Sequence, residues 1–169
     1  MIEALFQSSQ IGEGLWACIG AFFGVFCFAH LLGCSLRITW ISAAISFIGW
    51  GIYLFFLPIL GVFGATLSAA VFISWCAQLF SRIIKCPVTM FLIPSLATLV
   101  PGKQVFQAVS SLISGDAVMT SRMSSQTFLM AWAIALGVIL VEAFYAMRAG
   151  MRIKWQSRLL HKQKKLINK

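Results

Sequence analysis

Acidic side chains are almost missing from this chain, which has 4 Asp and Glu residues in 169. Charged residues of both signs make up 10% of it, whereas hydrophobic residues make up 60%. A soluble domain has about 25% charged residues, so this composition excludes an ordinary soluble protein. We therefore predict an all-α integral membrane protein with little mass outside the bilayer.

Recognisable catalytic and metal-binding patterns are also missing. None of the 5 cysteines lies in a C-x-x-C pair, and the 2 histidines are far apart in the sequence. No G-x-S-x-G, H-E-x-x-H or P-loop motif is found. We predict that the chain is not an enzyme and uses no cofactor or metal. Because no Lys or Arg precedes the first apolar run, we expect no cleavable signal peptide.

Apolar runs are abundant, and crossing hydrocarbon takes about 20 residues in a helix. Five predicted spans result: Ile11–Gly33, Ile38–Leu57, Val62–Phe80, a two-piece fourth span within Cys86–Asp116, and Thr127–Met147. The short Pro58–Gly61 connection predicts that the second and third spans are antiparallel neighbours.

Small residues recur four apart on two spans, which favours close approach of another helix. They are Ala17 with Ala21, Gly20 with Gly24, and Gly61 with Ala65 and Ala69. These faces predict an oligomer, formed with further copies of the chain or with a larger subunit.

Positive charge is unevenly distributed, with most of the Lys and Arg residues in the last 22 positions. Arg37, Arg82 and Lys85 fall on the same predicted side as this tail, so the C-terminus is predicted to be cytoplasmic and the N-terminus outside. We predict a transmembrane domain over 1–147 and a basic amphipathic tail over 148–169. The tail would meet anionic lipid headgroups, not nucleic acid, or would serve only to fix the orientation.

Proline interrupts the fourth span. A proline inside a helix removes a hydrogen bond and costs roughly 3 kcal/mol, and it disfavours helical angles in the residue before it. We predict a break at Val100-Pro101-Gly102 with Pro101 as the first residue of a second helix. The amides of Gly102 and Lys103 would then be free at the positive end of a helix dipole, within the membrane.

A polar stripe follows the break at helical spacing. Half-helix starts of this kind hold anionic groups in many transporters, so the stripe is a candidate substrate site. Its predicted substrate-binding residues are Pro101, Gly102, Lys103, Gln107, Ser110 and Ser114, with Ser111 beside them. The alternative is a proline kink whose serines bond back to their own helix.

Two further ionisable residues lie in predicted spans, His30 and Glu142. Both lie near the predicted cytoplasmic ends of their spans, and histidine can change its charge near neutral pH. They are candidates for proton coupling as a pair. The alternative is that each lies at the interface, where Glu142 reaches water or bonds Arg148.

The sequence Leu99-Val100-Pro101-Gly102, the turn Gly115-Asp116 and the run Ala133–Gly137 resemble the threonine/serine exporter family, in its small subunit or C-terminal half. Lys103 and Glu142 depart from that pattern, in which small or apolar residues are expected. The resemblance implies a secondary exporter of threonine/serine-type amino acids or small dicarboxylates. It also implies a larger partner subunit and a bacterial-type inner membrane. A non-transporting assembly or scaffold subunit is the alternative.

Overall fold

The computed structural model describes the backbone of residues 2–167 and the side chains of residues 14–148. Within that range the chain is helical apart from short turns, which confirms the predicted all-α class. Its elements are α1 (Ile2–Leu31), α2 (Leu36–Ile84), α3 (Thr89–Leu96), a 3-10 turn (Ala97–Leu99), α4 (Gly102–Ile113) and α5 (Ala117–Ile167).

α2 is folded back on itself at Gly61, which has φ 67° and ψ −176°. A positive φ of this size favours glycine, because a Cβ atom would clash with the backbone. The two arms meet at Gly49, where an added Cβ would lie 2.8 Å from the Ile73 side chain. The predicted antiparallel pair is therefore confirmed, but the predicted Pro58–Gly61 turn is too long. Helix continues through Pro58, and the reversal is concentrated at Gly61.

In the part of the chain that the structure describes, three helices are long and apolar enough to cross a membrane by length and composition: Gly14–Leu31, Leu36–Ile84 and Ala117–Arg148. Because α2 has 49 residues and reverses at Gly61, its two arms lie side by side. A shorter apolar helix, Thr89–Leu99, is made of α3 and the 3-10 turn.

The two arms of α2 form the centre of the bundle. α1 packs on the first arm, where Trp40 contacts the rings of Phe22 and Phe26 at 5.9 and 5.1 Å between centroids. α5 packs on the second arm, where an added Cβ on Gly137 would lie 2.8 Å from Cβ of Ala70. Small side chains thus let backbones approach closely where dispersion must hold helices together in lipid.

Two arginine side chains lie where α2 and α5 meet at one end of the bundle, and that of Arg82 joins the two helices. The Arg82 guanidinium lies 4.4 Å from the centroid of the Tyr145 ring, and that of Arg148 lies 4.6 Å from the Phe144 ring. Cation–π contacts of this kind hold the charges against the aromatic faces. Arg82 and Arg148 therefore share an end, as the charge pattern predicts.

α5 begins earlier than the predicted fifth span. Most of the polar segment from Gly115 to Gln126 lies between the predicted fourth and fifth spans, yet it is helical from Ala117 onward. The Asp116 side chain accepts a hydrogen bond from the amide of Met119 at 3.0 Å, which caps the new helix. Helical backbone then continues to Ile167, so the predicted tail is not set off from the fifth span by a break. Beyond Arg148 its side chains lie outside the described residues.

Candidate functional site

The predicted helix break is present, and it follows a buried anchor. Leu99 is 0% exposed and belongs to a core cluster with Ile45, Tyr53 and Ala69. Val100 then takes extended angles, φ −61° and ψ 128°, and α4 begins two residues later at Gly102. The backbone in front of proline leaves the helical region as its steric clash requires.

The detail of the new helix start differs from the prediction by one residue. Pro101 precedes α4 as its N-cap, with φ −76° and ψ 53°, and is not its first residue. The Gly102 amide is not free, because it donates to the Val100 carbonyl at 2.8 Å. Among the described residues, no backbone carbonyl accepts from the amides of Lys103 and Gln104. The first bond along α4 runs from the Val105 amide to the Pro101 carbonyl at 3.0 Å.

α4 packs against α5 and makes no comparable contact with the rest of the described chain. The side of α4 that is least exposed carries Gln104, Gln107, Ala108 and Ser111. Its apolar residues point elsewhere and are 45–83% exposed: Val105, Phe106, Val109, Leu112 and Ile113. The helix therefore turns a mainly polar side toward α5 and leaves its apolar side uncovered.

The predicted stripe is only partly free to bind a solute. The Ser111 hydroxyl donates to the Gln107 carbonyl at 2.8 Å, and that of Ser114 donates to the Ser110 carbonyl at 3.0 Å. These are the back-bonds of the alternative interpretation. Lys103, by contrast, is exposed, and its ammonium group bonds no other described residue. Lys103 and its amide are thus the accessible part of the predicted site.

His30 and Glu142 are not brought together. Both are exposed, and they lie on α1 and α5, which pack on different arms of α2 and not against each other. Within residues 14–148, neither forms an ion pair. Arg148, the alternative partner of Glu142, stacks on Phe144. Proton coupling through either residue stays a prediction.

A buried serine cluster, which sequence reasoning did not single out, fastens α3 to α2. The Ser46 hydroxyl lies 2.9 Å from the Ser42 carbonyl and 3.3 Å from that of Ser95, and the Ser95 hydroxyl donates to the Ser42 carbonyl at 3.2 Å. All three serines are 0% exposed. The spacing of Ser42 and Ser46 on one helix face was the available signal, but their partner lies about fifty positions away.

A cavity of about 360 Å³ lies between α1, α2 and the 3-10 turn. It is lined mostly by small residues of α1, together with Trp50, Ala97 and Thr98. Gly20 and Gly24, predicted to receive another helix, have nothing within 4 Å of an added Cβ. Of the two small-residue faces, the one on α2 is used, since Ala65 and Ala69 are fully buried. The face on α1 borders open space.

Two residues that carry polar side-chain groups, Trp50 and Thr98, are among those that line this cavity. The Nε1 atom of Trp50 is buried and has no hydrogen-bond partner, although buried donors are nearly always paired. The Thr98 hydroxyl donates to the Ser95 carbonyl at 3.0 Å, which leaves its oxygen able to accept. Sequence reasoning did not find this grouping, because Trp50 and Thr98 lie in separate apolar runs.

Comparison with known proteins gives one result that covers most of the chain. The sequence profile of a family described as "Threonine/Serine exporter, ThrE" matches residues 17–144, a range that contains the helix break and the cavity. No curated protein and no solved structure gives a significant match. The match confirms the resemblance found in the sequence: the chain belongs to the threonine/serine exporter family.

Proposed function

We propose that this chain is the small membrane subunit of a two-component secondary exporter. Its solutes would be small metabolites that bear a carboxylate, most simply threonine and serine, with dicarboxylates as a related class. The single observation that carries this proposal is the family match across residues 17–144. A helix broken inside that range adds physical support, since discontinuous helices commonly form solute sites in transporters.

In the proposed topology the chain crosses a bacterial-type inner membrane five times, with the N-terminus outside and the C-terminus in the cytoplasm. The two arms of α2 would count as separate crossings, and α3 with α4 as the fourth. The grouping of Arg82 and Arg148 at one end supports this orientation under the positive-inside rule. A single cysteine placed in the Gly115–Asp116 turn should react with an impermeant reagent from outside, whereas one in the tail should not. If only the cysteine in the tail is labelled, the orientation is the opposite of the proposed one.

We place the carboxylate of the solute at the start of α4. Lys103 supplies a full positive charge, and the unbonded amides of Lys103 and Gln104 are hydrogen-bond donors at the positive end of the helix dipole. Gln107 and Ser110 would continue the path, and Ser114 would contribute less because its proton is used in the helix. Lys103 is the charged member of this group, and charge-assisted hydrogen bonds are stronger than neutral ones, so Lys103 should dominate affinity.

Two open surfaces support a partner subunit. The small-residue side of α1 has no neighbour at Gly20 and Gly24, and the apolar side of α4 is uncovered. The same surfaces would serve the alternative function, a scaffold subunit that assembles a transporter without binding solute. A variant that loses solute recognition while the complex still assembles would distinguish an exporter subunit from a scaffold subunit.

Lys103→Ala is the direct test. In proteoliposomes that contain the exporter with its co-purifying subunits, KM for threonine should rise at least about tenfold, because one charge-assisted contact is removed. Lys103→Arg, which keeps the charge, is the matched control and should stay near the wild type. Pro101→Ala should slow transport by allowing helix to continue across the break. Normal export by both Lys103→Ala and Pro101→Ala, in an assembled complex, would leave only the scaffold function.

A further inference from the structure

We propose that the junction of α2 and α5 binds an anionic phospholipid, with Arg82 and Arg148 as the cationic contacts of its headgroup. The arginines belong to what is here called the arginine–aromatic cluster: Trp75, Arg82, Phe144, Tyr145 and Arg148. The site is independent of which solute is exported. It also lies ahead of the basic tail, within the residues whose side chains are described.

Positive charge collects at this end of the bundle. Because α2 reverses at Gly61, its first and last turns lie at the same end, which carries Arg37, Arg82 and Lys85. The contact of Arg82 with α5 brings Arg148 to that end as well. All four cationic side chains are exposed. Basic groups between transmembrane helices, at the level of the membrane surface, attract anionic lipid headgroups.

Acidic side chains do not neutralise this charge in the described part of the chain. Within residues 14–148, Asp116 caps the start of α5, whereas Arg148 lies about 48 Å further along the helix axis. Glu142 is nearer, but it forms no ion pair there. The guanidinium groups of Arg82 and Arg148 also bond no described residue. Their N–H donors are therefore available, and their planar fork matches the oxygens of a phosphate.

Aromatic rings hold the two arginines on one connected surface. The ring centroids of Phe144 and Tyr145, on which the arginines stack, are 6.0 Å apart. Trp75 of α2 contacts both rings, at 5.5 and 5.6 Å between centroids. The two charges therefore flank one aromatic cluster that joins α2 to α5. Aromatic side chains of this kind are typical of the level of the headgroups in a bilayer.

Apolar side chains continue from the arginines toward the middle of the bundle. On α2, Leu79 and Trp75 lie about one and two turns before Arg82, and on α5, Leu140 lies two turns before Arg148. All three apolar side chains are exposed. Each row covers about 10 Å along its helix, which is a depth that the upper part of an acyl chain occupies. Charge followed by apolar surface fits a phospholipid better than a free anion.

Photocross-linking tests the site in the exporter purified with its subunits and reconstituted in phosphatidylcholine vesicles. A trace of phosphatidylglycerol with a photoreactive acyl chain should label peptides that contain residues 75–83 and 140–148, as read by mass spectrometry. Labelling should fall at least about tenfold in the double variant Arg82→Gln, Arg148→Gln. The physical reason is that each cation near an anionic lipid surface contributes about fivefold to binding.

Two controls separate headgroup recognition from loss of structure. Arg122→Gln removes an exposed arginine of α5 outside the arginine–aromatic cluster, and it should be labelled like the wild type. Phosphatidylcholine with the same photoreactive chain should label the wild type and the double variant equally, because both keep their helices in the bilayer. Equal loss of labelling by both lipids would instead assign the arginines to holding α2 and α5 together, and the proposal would fail.

Other outcomes would identify a different occupant. If the two photoreactive lipids label the wild type equally, the surface contacts only bulk lipid. If inorganic phosphate displaces phosphatidylglycerol at millimolar concentration, the arginines bind a free anion. If the peptides are labelled only after the other subunits are removed, a partner protein covers the cluster. Each of these results would overturn the proposal.

Discussion

The two pieces of the broken helix differ sharply in how they are held. The first, Thr89–Leu99, buries Phe91, Pro94, Ser95 and Leu99 completely or nearly so. The second, Gly102–Ile113, has no buried residue. The break therefore separates a buried piece, here called the anchor (Thr89–Leu99), from a piece that packs mainly on α5. The second piece (Gly102–Ile113) is here called the arm, as distinct from the two arms of α2.

The difference follows from composition and partners. The anchor is apolar on all sides, and its one buried hydroxyl, on Ser95, finds the Ser42 carbonyl, so it can be packed against both arms of α2. The arm Gly102–Ile113 carries polar groups on the side that meets α5. There the Thr120 hydroxyl donates a hydrogen bond to the Ser111 hydroxyl at 3.0 Å. The lesson is that the burial of the broken helix comes from its first piece, and its accessible polar groups from its second.

A matched pair of phenylalanines tests this contrast with the largest expected effect. Phe91→Ala in the anchor should lower the free energy of unfolding by about 3–5 kcal/mol, because it leaves a cavity at a fully buried site. Phe106→Ala in the arm, where the side chain is 73% exposed, should change it by less than about 0.5 kcal/mol. Denaturation in mixed micelles measures both. Equal losses would mean that the arm is covered as well as the anchor.

The same contrast extends along α5, whose later part packs on α2. Gly137→Ala places a Cβ 2.8 Å from that of Ala70 and 3.2 Å from the backbone nitrogen of Val71, so we expect a loss of about 1–3 kcal/mol. Gly51→Ala, with nothing within 4 Å, is the control and should be neutral or stabilising through helix propensity. If both variants are stabilised, α5 does not approach α2 this closely.

The smallest effect concerns the hairpin of α4 and α5. Asp116→Ala removes the cap of α5, a loss of about 0.5–2 kcal/mol that should fall on the hairpin alone. Hydrogen exchange should therefore speed up in residues 117–120 but not in the anchor. Asp116→Asn keeps an accepting oxygen and should preserve protection. Exchange that rises equally in both regions would show that the arm and the anchor are one cooperative unit.

Much of the fold could be read from local signals. The helical class follows from apolar runs, the break from the clash that Pro101 imposes on Val100, and the α2 reversal from the short link near Gly61. The shared end of Arg82 and Arg148 follows from charge placement alone. Local prediction was wrong where a cap decided the outcome, because Asp116 starts α5 ten residues before the expected span.

The candidate site depended more on tertiary structure. Sequence identified Lys103 at a helix start, since charge and proline are visible locally. It offered the back-bonding of Ser114 only as an alternative, and it did not show that His30 and Glu142 lie on helices that do not pack together. Nor did it show that Trp50 and Thr98 line one cavity, because contacts between distant runs depend on how close the backbones come. Apolar pattern and proline sterics thus determined the helices, whereas packing decided which polar groups remained free to bind.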